Sequence, residues 1–443
     1  MFHLYDKIMS GQTYFIAEMS ANHGGNLDNA LEIVRQAKAA GADCLKIQTY
    51  NADTMTLNCN NADFLISGGL WDGFNLYKLY DYAGTPYEWH KTIKNECEKV
   101  GIDFLSTPFD KSSVDFLEGL GIEAYKVASY ELVDIPLISY IASKHKPMII
   151  SVGMGNIEEI QDCIDACRAV GNEQIVLLKC CSEYPAPWAD MKLGNIPDMR
   201  ERFGCPVGLS DHSYGSLGAI VGVTLGACVV EKHVKLEGVK SADSEFSMSM
   251  QDFSSMIEEC KNAKLIASGP DYSLSASEQA STAFRRSIYA ASDIKAGEEF
   301  SSVNVRIIRP GYGMKPKFYD CIIGKVAKRD IRFGDRIISE DIDKTILEKF
   351  FLTDMEYLYK VGKKYKCLTG RFKQMLNKYG GVETVKRLIN SKVTPEKLKK
   401  LAELNKYGIS VETYVLRQEY EALFTEDERE KCRENLRRSG CSL

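Results

Sequence analysis

Between Thr13 and about Ser268 the chain repeats one pattern: a short apolar, β-branched run followed by a longer stretch with the period of an amphipathic helix. The runs fall at residues 14–18, 44–48, 104–107, 125–129, 148–151, 175–179, 207–212 and 229–233. Between them, residues 29–40 place Ala30, Ile33, Val34 and Ala37 on one side, and residues 157–170 do the same with Ile160, Ile164 and Cys167. A stripe at that spacing must be buried against another element. Strands alternating with such helices imply a parallel sheet covered by helices, and eight units over about 250 residues is the size of a closed (β/α)8, or TIM, barrel. A doubly wound open sheet fits less well, because no strand is followed by a Gly-rich dinucleotide loop.

The whole chain has 443 residues, too many for one ordinary core. The barrel pattern accounts for residues 1–272. A Ser- and Ala-rich linker at 273–282 leads to a second module at 284–347, with short strands and Gly-marked turns such as Lys295-Ala296-Gly297 and Phe333-Gly334-Asp335. Residues 349–443 change to Lys, Glu and Leu with helical periodicity, and Thr394-Pro395-Glu396-Lys397 and Thr425-Glu426-Asp427-Glu428 read as helix starts. This tail is net basic while the rest is acidic. A charge excess of that kind is more often a solvated helical surface than a docking surface.

Composition excludes several classes. A net charge of -5 gives no reason to expect nucleic acid as a partner. No apolar run approaches the roughly 20 residues that cross a bilayer. The opening residues, Met1-Phe2-His3-Leu4-Tyr5-Asp6-Lys7, lack the apolar core of a signal peptide, so a cytoplasmic protein is expected. The 14 cysteines form no C-x-x-C pair and no Cys/His cluster with zinc spacing, and they read as small buried hydrophobes in a reducing compartment. Cys180-Cys181 is the pair to watch, because it ends a strand on the expected active-site face.

In a TIM barrel the active site lies at the C-terminal ends of the strands. Nearly every strand here ends on a polar residue: Glu18, then Lys46 with Gln48, Thr107, Lys126 with Ser129, Ser151, Lys179 with Ser182, Ser210 with His212, and Glu231 with His233. Any one of these alone is more readily a solvated loop residue; eight strands with the same habit are not. Lys46 and Lys126, with the hydroxyls of Thr107, Ser129, Ser151 and Ser210, suit a dense anion such as a phosphate with a carboxylate. His212 and His233 end neighbouring strands, where two imidazoles could share a divalent metal. Mn²⁺ or Mg²⁺ suits the oxygen-rich surroundings better than zinc. His3, His90 and His145 are read as structural.

These same residues resemble the sialic acid synthase family. Residues 15–25 (Phe15-Ile16-Ala17-Glu18-Met19-Ser20-Ala21-Asn22-His23-Gly24-Gly25) are similar to its opening motif. Lys46-Ile47-Gln48, Ser106-Thr107-Pro108-Phe109, Tyr125-Lys126-Val127-Ala128-Ser129, Gly208-Leu209-Ser210-Asp211-His212-Ser213 and Glu231-Lys232-His233 match later motifs in the family's order. The small module resembles the family's antifreeze-like (SAF) domain, including Arg309-Pro310-Gly311. The resemblance spans about residues 10 to 345.

It implies condensation of phosphoenolpyruvate with the open-chain aldehyde of an acetamido sugar, with loss of phosphate. Lys46, Thr107, Lys126, Ser129, Ser151, Ser182 and Ser210 would hold phosphoenolpyruvate. Glu18 would be the leading acid/base group, with Glu131 and Glu231 as others, and His212 and His233 would ligate the metal. Gln48, Tyr184 and Asp243 would contact the sugar. Arg309 would reach the active site of a neighbouring subunit, which implies a domain-swapped homodimer.

Two stretches bear on the branch. Lys240-Ser241-Ala242-Asp243-Ser244-Glu245-Phe246-Ser247 and the loop from Gly69 to Trp89 look like the pseudaminic acid branch rather than the N-acetylneuraminate one. A 2,4-diacetamido-2,4,6-trideoxy-altropyranose is the expected sugar, with neuraminate or legionaminate synthesis as the alternative. Trp71, Tyr77, Tyr80 and Trp89 would pack on sugar substituents or simply on the loop. An octulosonate phosphate synthase is disfavoured by the antifreeze-like module, and an inactive scaffold barrel by the intact set of Glu18, Lys46, Lys126, His212 and His233.

Overall fold

The structure is a computed structural model, and it describes residues 2–68, 72–365, 367–390, 398–399, 401 and 407–440. The Gly69-Leu70-Trp71 part of the loop that precedes Trp89 and the expected helix start at Thr394-Pro395-Glu396-Lys397 lie outside the described residues. The chain divides into two compact units, Met1–Pro270 and Asp271–Leu443.

The first unit is the expected barrel. Its strands are β1 (Tyr14–Glu18), β2 (Cys44–Thr49), β3 (Asp103–Pro108), β4 (Tyr125–Val127), β5 (Met148–Ser151), β6 (Ile175–Cys180), β7 (Val207–Asp211) and β8 (Val229–Lys235). Each pairs in parallel with the next, and β1 also pairs with β8, which closes the cylinder. A two-residue β9 (Met248–Ser249) pairs in parallel with the end of β8.

Alternation along each strand sorts side chains into two compartments. Phe15, Ala17, Leu45, Ile47, Ile150 and Leu209 face outward and pack under the helices in one large core. Tyr14, Ile16, Cys44, Leu105, Ala124, Ile149, Val176, Leu178 and Val229 face inward, where Leu4 joins them in a smaller apolar layer. Gly208 also lies here: a Cβ would meet the Val229 carbonyl oxygen at 2.6 Å and Leu178 Cδ2 at 2.7 Å, so this strand can hold only a glycine at that level. One step further along each strand the inward series turns polar, through Glu18, Lys46, Thr107, Lys126, Ser151, Ser210 and Glu231. Burial at those positions is fixed by the apolar layer beneath them.

The covering helices begin where the sequence supplies caps. The Asn26 side chain accepts from the Asp28 and Asn29 amides to start Leu27–Ala39, which buries Ala30, Ile33, Val34 and Ala37. Asn156 and Glu159 form a capping box at the start of Ile157–Ala169, which buries Ile160, Cys163, Ile164 and Cys167. Among the described residues no helix is long and apolar enough to cross a membrane.

In the second unit, β10 (Ser287–Ala290) pairs antiparallel with β11 (Val305–Ile308). The sequence suggests a boundary near residues 347–349, but a helix runs through it, from Lys344 to Lys364. Its Leu347, Phe351, Met355 and Leu358 share one core with Ile288, Phe318 and Ile322 of the β module and with Tyr420 and Phe424 of the tail. Lys315 Nζ lies 2.6 Å from Glu419 Oε1, adding an ion pair between module and tail. The helical tail is therefore built into the core of the module rather than appended to it.

Candidate active site

Register brings the polar strand ends to one level. Glu18 is the backbone partner of Lys46 across β1 and β2 and of His233 across β1 and β8. Ser210 is the partner of Glu231 across β7 and β8, and Gln48 of Thr107 across β2 and β3. Because inward positions recur every two residues, this register aims the side chains into one cavity mouth.

The centre is a buried charge network. Lys46 Nζ lies 2.8 Å from Glu18 Oε2 and 3.6 Å from Glu231 Oε1, and it donates to Thr107 Oγ1 at 3.4 Å. Lys126 Nζ lies 3.8 Å from the same Glu231 oxygen and donates to Ser151 Oγ at 2.7 Å. Ser210 Oγ donates to Glu231 Oε1 at 3.2 Å, and Gln48 Nε2 donates to Glu18 Oε1 at 3.2 Å. Burial pushes the Glu18 carboxyl above its ordinary range, against the pull of Lys46. Burial acts on Glu231 the same way, but Lys126 and Lys46 together hold it below that range. Two carboxyls in one site are thus driven apart, Glu18 toward the acid and Glu231 toward the carboxylate. Burial also pulls the Lys126 ammonium below its usual value.

A second group gathers around Gly153. Ser129 Oγ accepts from the Gly153 amide at 3.2 Å. A Cβ on Gly153 would sit 2.2 Å from Ser182 Oγ and 2.8 Å from Ser129 Oγ. Two hydroxyls and bare backbone therefore converge where any side chain at 153 would intrude. The sequence reading missed Gly153, since a glycine carries no functional group; its signal was the Gly153-Met154-Gly155 turn after β5. Glu131 follows in the short helical turn Ser129–Glu131, with Oε2 buried and without a hydrogen-bond partner, and burial pushes this carboxyl up to about 7.

The imidazoles of His212 and His233 meet with ring centroids 5.4 Å apart. The Cys181 carbonyl accepts from His212 Nδ1 at 2.9 Å, which fixes a hydrogen on that nitrogen; burial pulls the His212 pKa down, but Cys180, the Cys181 carbonyl and Glu231 together hold it above its ordinary value. His233 Nδ1 is buried without a hydrogen-bond partner, 4.0 Å from Asp243 Oδ2. Burial, then the neighbouring His212 and Lys46, pull His233 well below its ordinary pKa, toward the neutral form a metal needs. The pair fits two ligands of a divalent ion, with the remaining positions left to water or substrate. Among the described residues no group of three or more His, Cys, Asp or Glu forms a fuller cage. The Tyr184 ring lies tilted over His212 with centroids 4.2 Å apart and edge-on to His233 at 6.1 Å, and Phe246 lies 5.0 Å from His233.

Other positions differ from the sequence reading. Lys179 is turned away from the cavity: its Nζ donates to the Cys180 carbonyl at 2.6 Å, and Cys180 takes the inward position beside His212. Trp89 packs against the outer barrel core and edge-on to His23, so it serves the fold rather than a sugar. Tyr80 packs on Tyr50, and the Tyr77 hydroxyl donates to Asp53. His90 is structural as expected, with Nε2 2.8 Å from Thr49 Oγ1. Arg309 belongs to the second unit, after β11.

Comparison with known proteins agrees with this geometry. The pseudaminic acid synthase of Campylobacter jejuni is 43% identical over 331 residues, covering 74% of this chain and 96% of its own length. That of Helicobacter pylori is 39% identical, covering 75% and 98%. The solved N-acetylneuraminic acid synthetase of Leptospira borgpetersenii superposes with a TM-score of 0.54 at 27% identity, over 61% of this chain and 90% of that one. An SAF domain model matches residues 285–341, and the model of the NeuB family matches residues 33–272. With the closed barrel and its ring of lysines, carboxylates and imidazoles in place, the chain belongs to the NeuB family.

Proposed function

We propose that the chain condenses phosphoenolpyruvate with 2,4-diacetamido-2,4,6-trideoxy-altropyranose, giving phosphate and the nine-carbon 2-keto sugar acid pseudaminic acid. The observation that carries the reaction class is the convergence of Lys46 and Lys126 on Glu231, beside the Ser129–Gly153–Ser182 cradle. That arrangement suits one small molecule bearing both a phosphate and a carboxylate. The choice of sugar rests on the names of the two relatives that are 43% and 39% identical.

The π electrons of the enol attack the open-chain aldehyde carbon, forming a C–C bond from C3 of phosphoenolpyruvate, and the aldehyde oxygen takes a proton. Water adds to C2 and gives up a proton. The resulting hemiketal phosphate loses phosphate and leaves the ketone. Glu18, biased toward its acid form, and Glu131, near neutrality at about 7, are the groups placed to give and take those protons. Glu231, held ionised, fixes both lysines. Gln48, Tyr184 and Asp243 line the sugar side. Mn²⁺ or Mg²⁺ on His212 and His233 would polarise the aldehyde. Arg309 from a second copy would complete the site in a domain-swapped homodimer, and we place the enzyme in the cytoplasm.

The test is phosphate release by the purified protein with Mn²⁺, read with product mass over a sugar panel. Turnover requiring the altro sugar is expected. Equal or better turnover with N-acetylmannosamine or the legionaminic precursor would overturn the branch, and no turnover with any sugar the reaction class.

A further inference from the structure

Two motif residues that take no part in that chemistry, Asp211 and Lys232, form an ion pair on the outer side of the barrel wall. They are backbone partners across β7 and β8. Asp211 sits between the inward-facing Ser210 and His212, and Lys232 between the inward-facing Glu231 and His233. Both are buried, at 1% and 2% exposure, and Lys232 Nζ lies 2.8 Å from Asp211 Oδ2.

The pair also grips the chain as it leaves β7. Asp211 Oδ1 accepts from the Ser213 amide at 2.9 Å and from Ser213 Oγ at 2.7 Å. Lys232 Nζ donates to the Ser213 carbonyl at 2.5 Å. His212 is thus enclosed in a turn whose two flanking residues are bonded to each other, and the lysine that fastens the turn immediately precedes His233. Gly218 lets the next helix close over this knot: a Cβ there would meet Ser213 Oγ at 2.8 Å and Asp211 Oδ2 at 3.0 Å.

Net stability does not explain such a pair, because taking both charges out of water costs about as much as their attraction returns, and apolar replacements are often neutral. What an apolar pair could not do is bond the amide and carbonyl of Ser213 and so fix the direction in which the strand ends. We propose that Asp211 and Lys232 are positioning residues that set the spacing of the His212 and His233 imidazoles and thereby the affinity of the site for a divalent cation. This rests on the reading of those two histidines as metal ligands.

The experiment measures Mn²⁺ binding to the full chain by calorimetry, beside thermal stability and phosphoenolpyruvate binding without metal. In the parent, Mn²⁺ binds and His233→Ala abolishes it; no binding by the parent would sink the histidine reading itself. The double variant Asp211→Asn with Lys232→Met removes both charges at similar volume. It is expected to lose roughly tenfold in Mn²⁺ affinity, with phosphoenolpyruvate binding and melting temperature close to the parent's. Ser213→Ala, which removes one bond and leaves the ion pair, is expected to lose about threefold and decides the matter should the double variant not fold. Lys232→Arg, which keeps the charge, is expected to recover part of the affinity lost in the double variant. Parent-like Mn²⁺ affinity in the folded variants, or a loss matched by an equal loss of phosphoenolpyruvate binding, overturns the proposal.

Discussion

Lys46 reaches across the first two strands of the barrel to Glu18, its own register partner, with 2.8 Å between Nζ and Oε2. The same ammonium lies 3.6 Å from Glu231, so one cation serves two buried carboxyls.

Replacing that cation therefore has a predictable sign. Burial by itself would discharge Lys46, but Glu18 and Glu231 hold its pKa above the ordinary value. Lys46→Met leaves Lys126 as the one remaining ammonium in the network for two carboxyls. Loss of a charged anchor in a closed site should lower turnover by about 10²–10³. Glu18, already raised, would rise further. A carboxyl raised on folding weighs more against the fold as pH climbs past its ordinary value, so the stability deficit of Lys46→Met should be larger at neutral pH than in mild acid. Melting curves of parent and variant across that range check it; a deficit that shrinks with rising pH would contradict the assignment.

Gly153→Ala tests the anion cradle separately from the charges. The added methyl would sit 2.2 Å from Ser182 Oγ, which can rotate away, but also 3.2 Å from Ser129 Cβ, which cannot. The hydroxyls must turn out of the cradle. A shift of that kind typically costs about 1–3 kcal/mol of packing or binding, so KM for phosphoenolpyruvate should rise about tenfold. The sugar KM and the melting temperature should change little. An unchanged phosphoenolpyruvate KM would place the phosphate elsewhere.

The inward series was readable from sequence because alternation is strict wherever one face of a strand turns polar, as in Ile16 and Glu18 or Val229, Glu231 and His233. β6 shows where that logic stops. Its run Ile175-Val176-Leu177-Leu178 is apolar on both faces, so the residues themselves give no parity, and Lys179 looked as eligible as Cys180. Parity there comes from the neighbour, through the pairing of Cys180 with Ser210. Asp211 and Lys232 were hidden for a related reason: a charge inside a motif reads as chemistry, and its outward direction is decided by register alone.

Glu131 offers a pH prediction of its own. Its carboxyl titrates near 7 in the folded chain because burial disfavours the charged form, against an ordinary value of 4.5. Between those two values the folded state holds a proton the unfolded state has released, so stability falls as pH rises through that window. Glu131→Gln has no charge to bury. Its melting temperature relative to the parent should therefore climb from about pH 4.5 to about pH 7 and level off above. A difference independent of pH would show that Glu131 is solvated and ordinary.

Truncation of the tail gives the last prediction, and here the structure reverses what the sequence suggests. The net-basic helical segment after residue 349 reads from the sequence as a solvated surface set apart from the module at 284–347. Yet Phe351, Met355, Leu358, Tyr420 and Phe424 lie in the same core as Phe318 and Ile322 of the β module. Each buried side chain of that size contributes roughly 1.5–3 kcal/mol, so five of them together are comparable to the roughly 5–15 kcal/mol that holds a typical domain folded. Cutting at Leu347 also removes Glu419, the ion-pair partner of Lys315. The expected outcome is a first unit, Met1–Pro270, that melts much as before and a second unit that is lost to proteolysis. Limited trypsin digestion followed by mass analysis distinguishes the two. A truncated chain whose residues 285–341 resist trypsin as well as the parent's would mean that the β module folds without its helices.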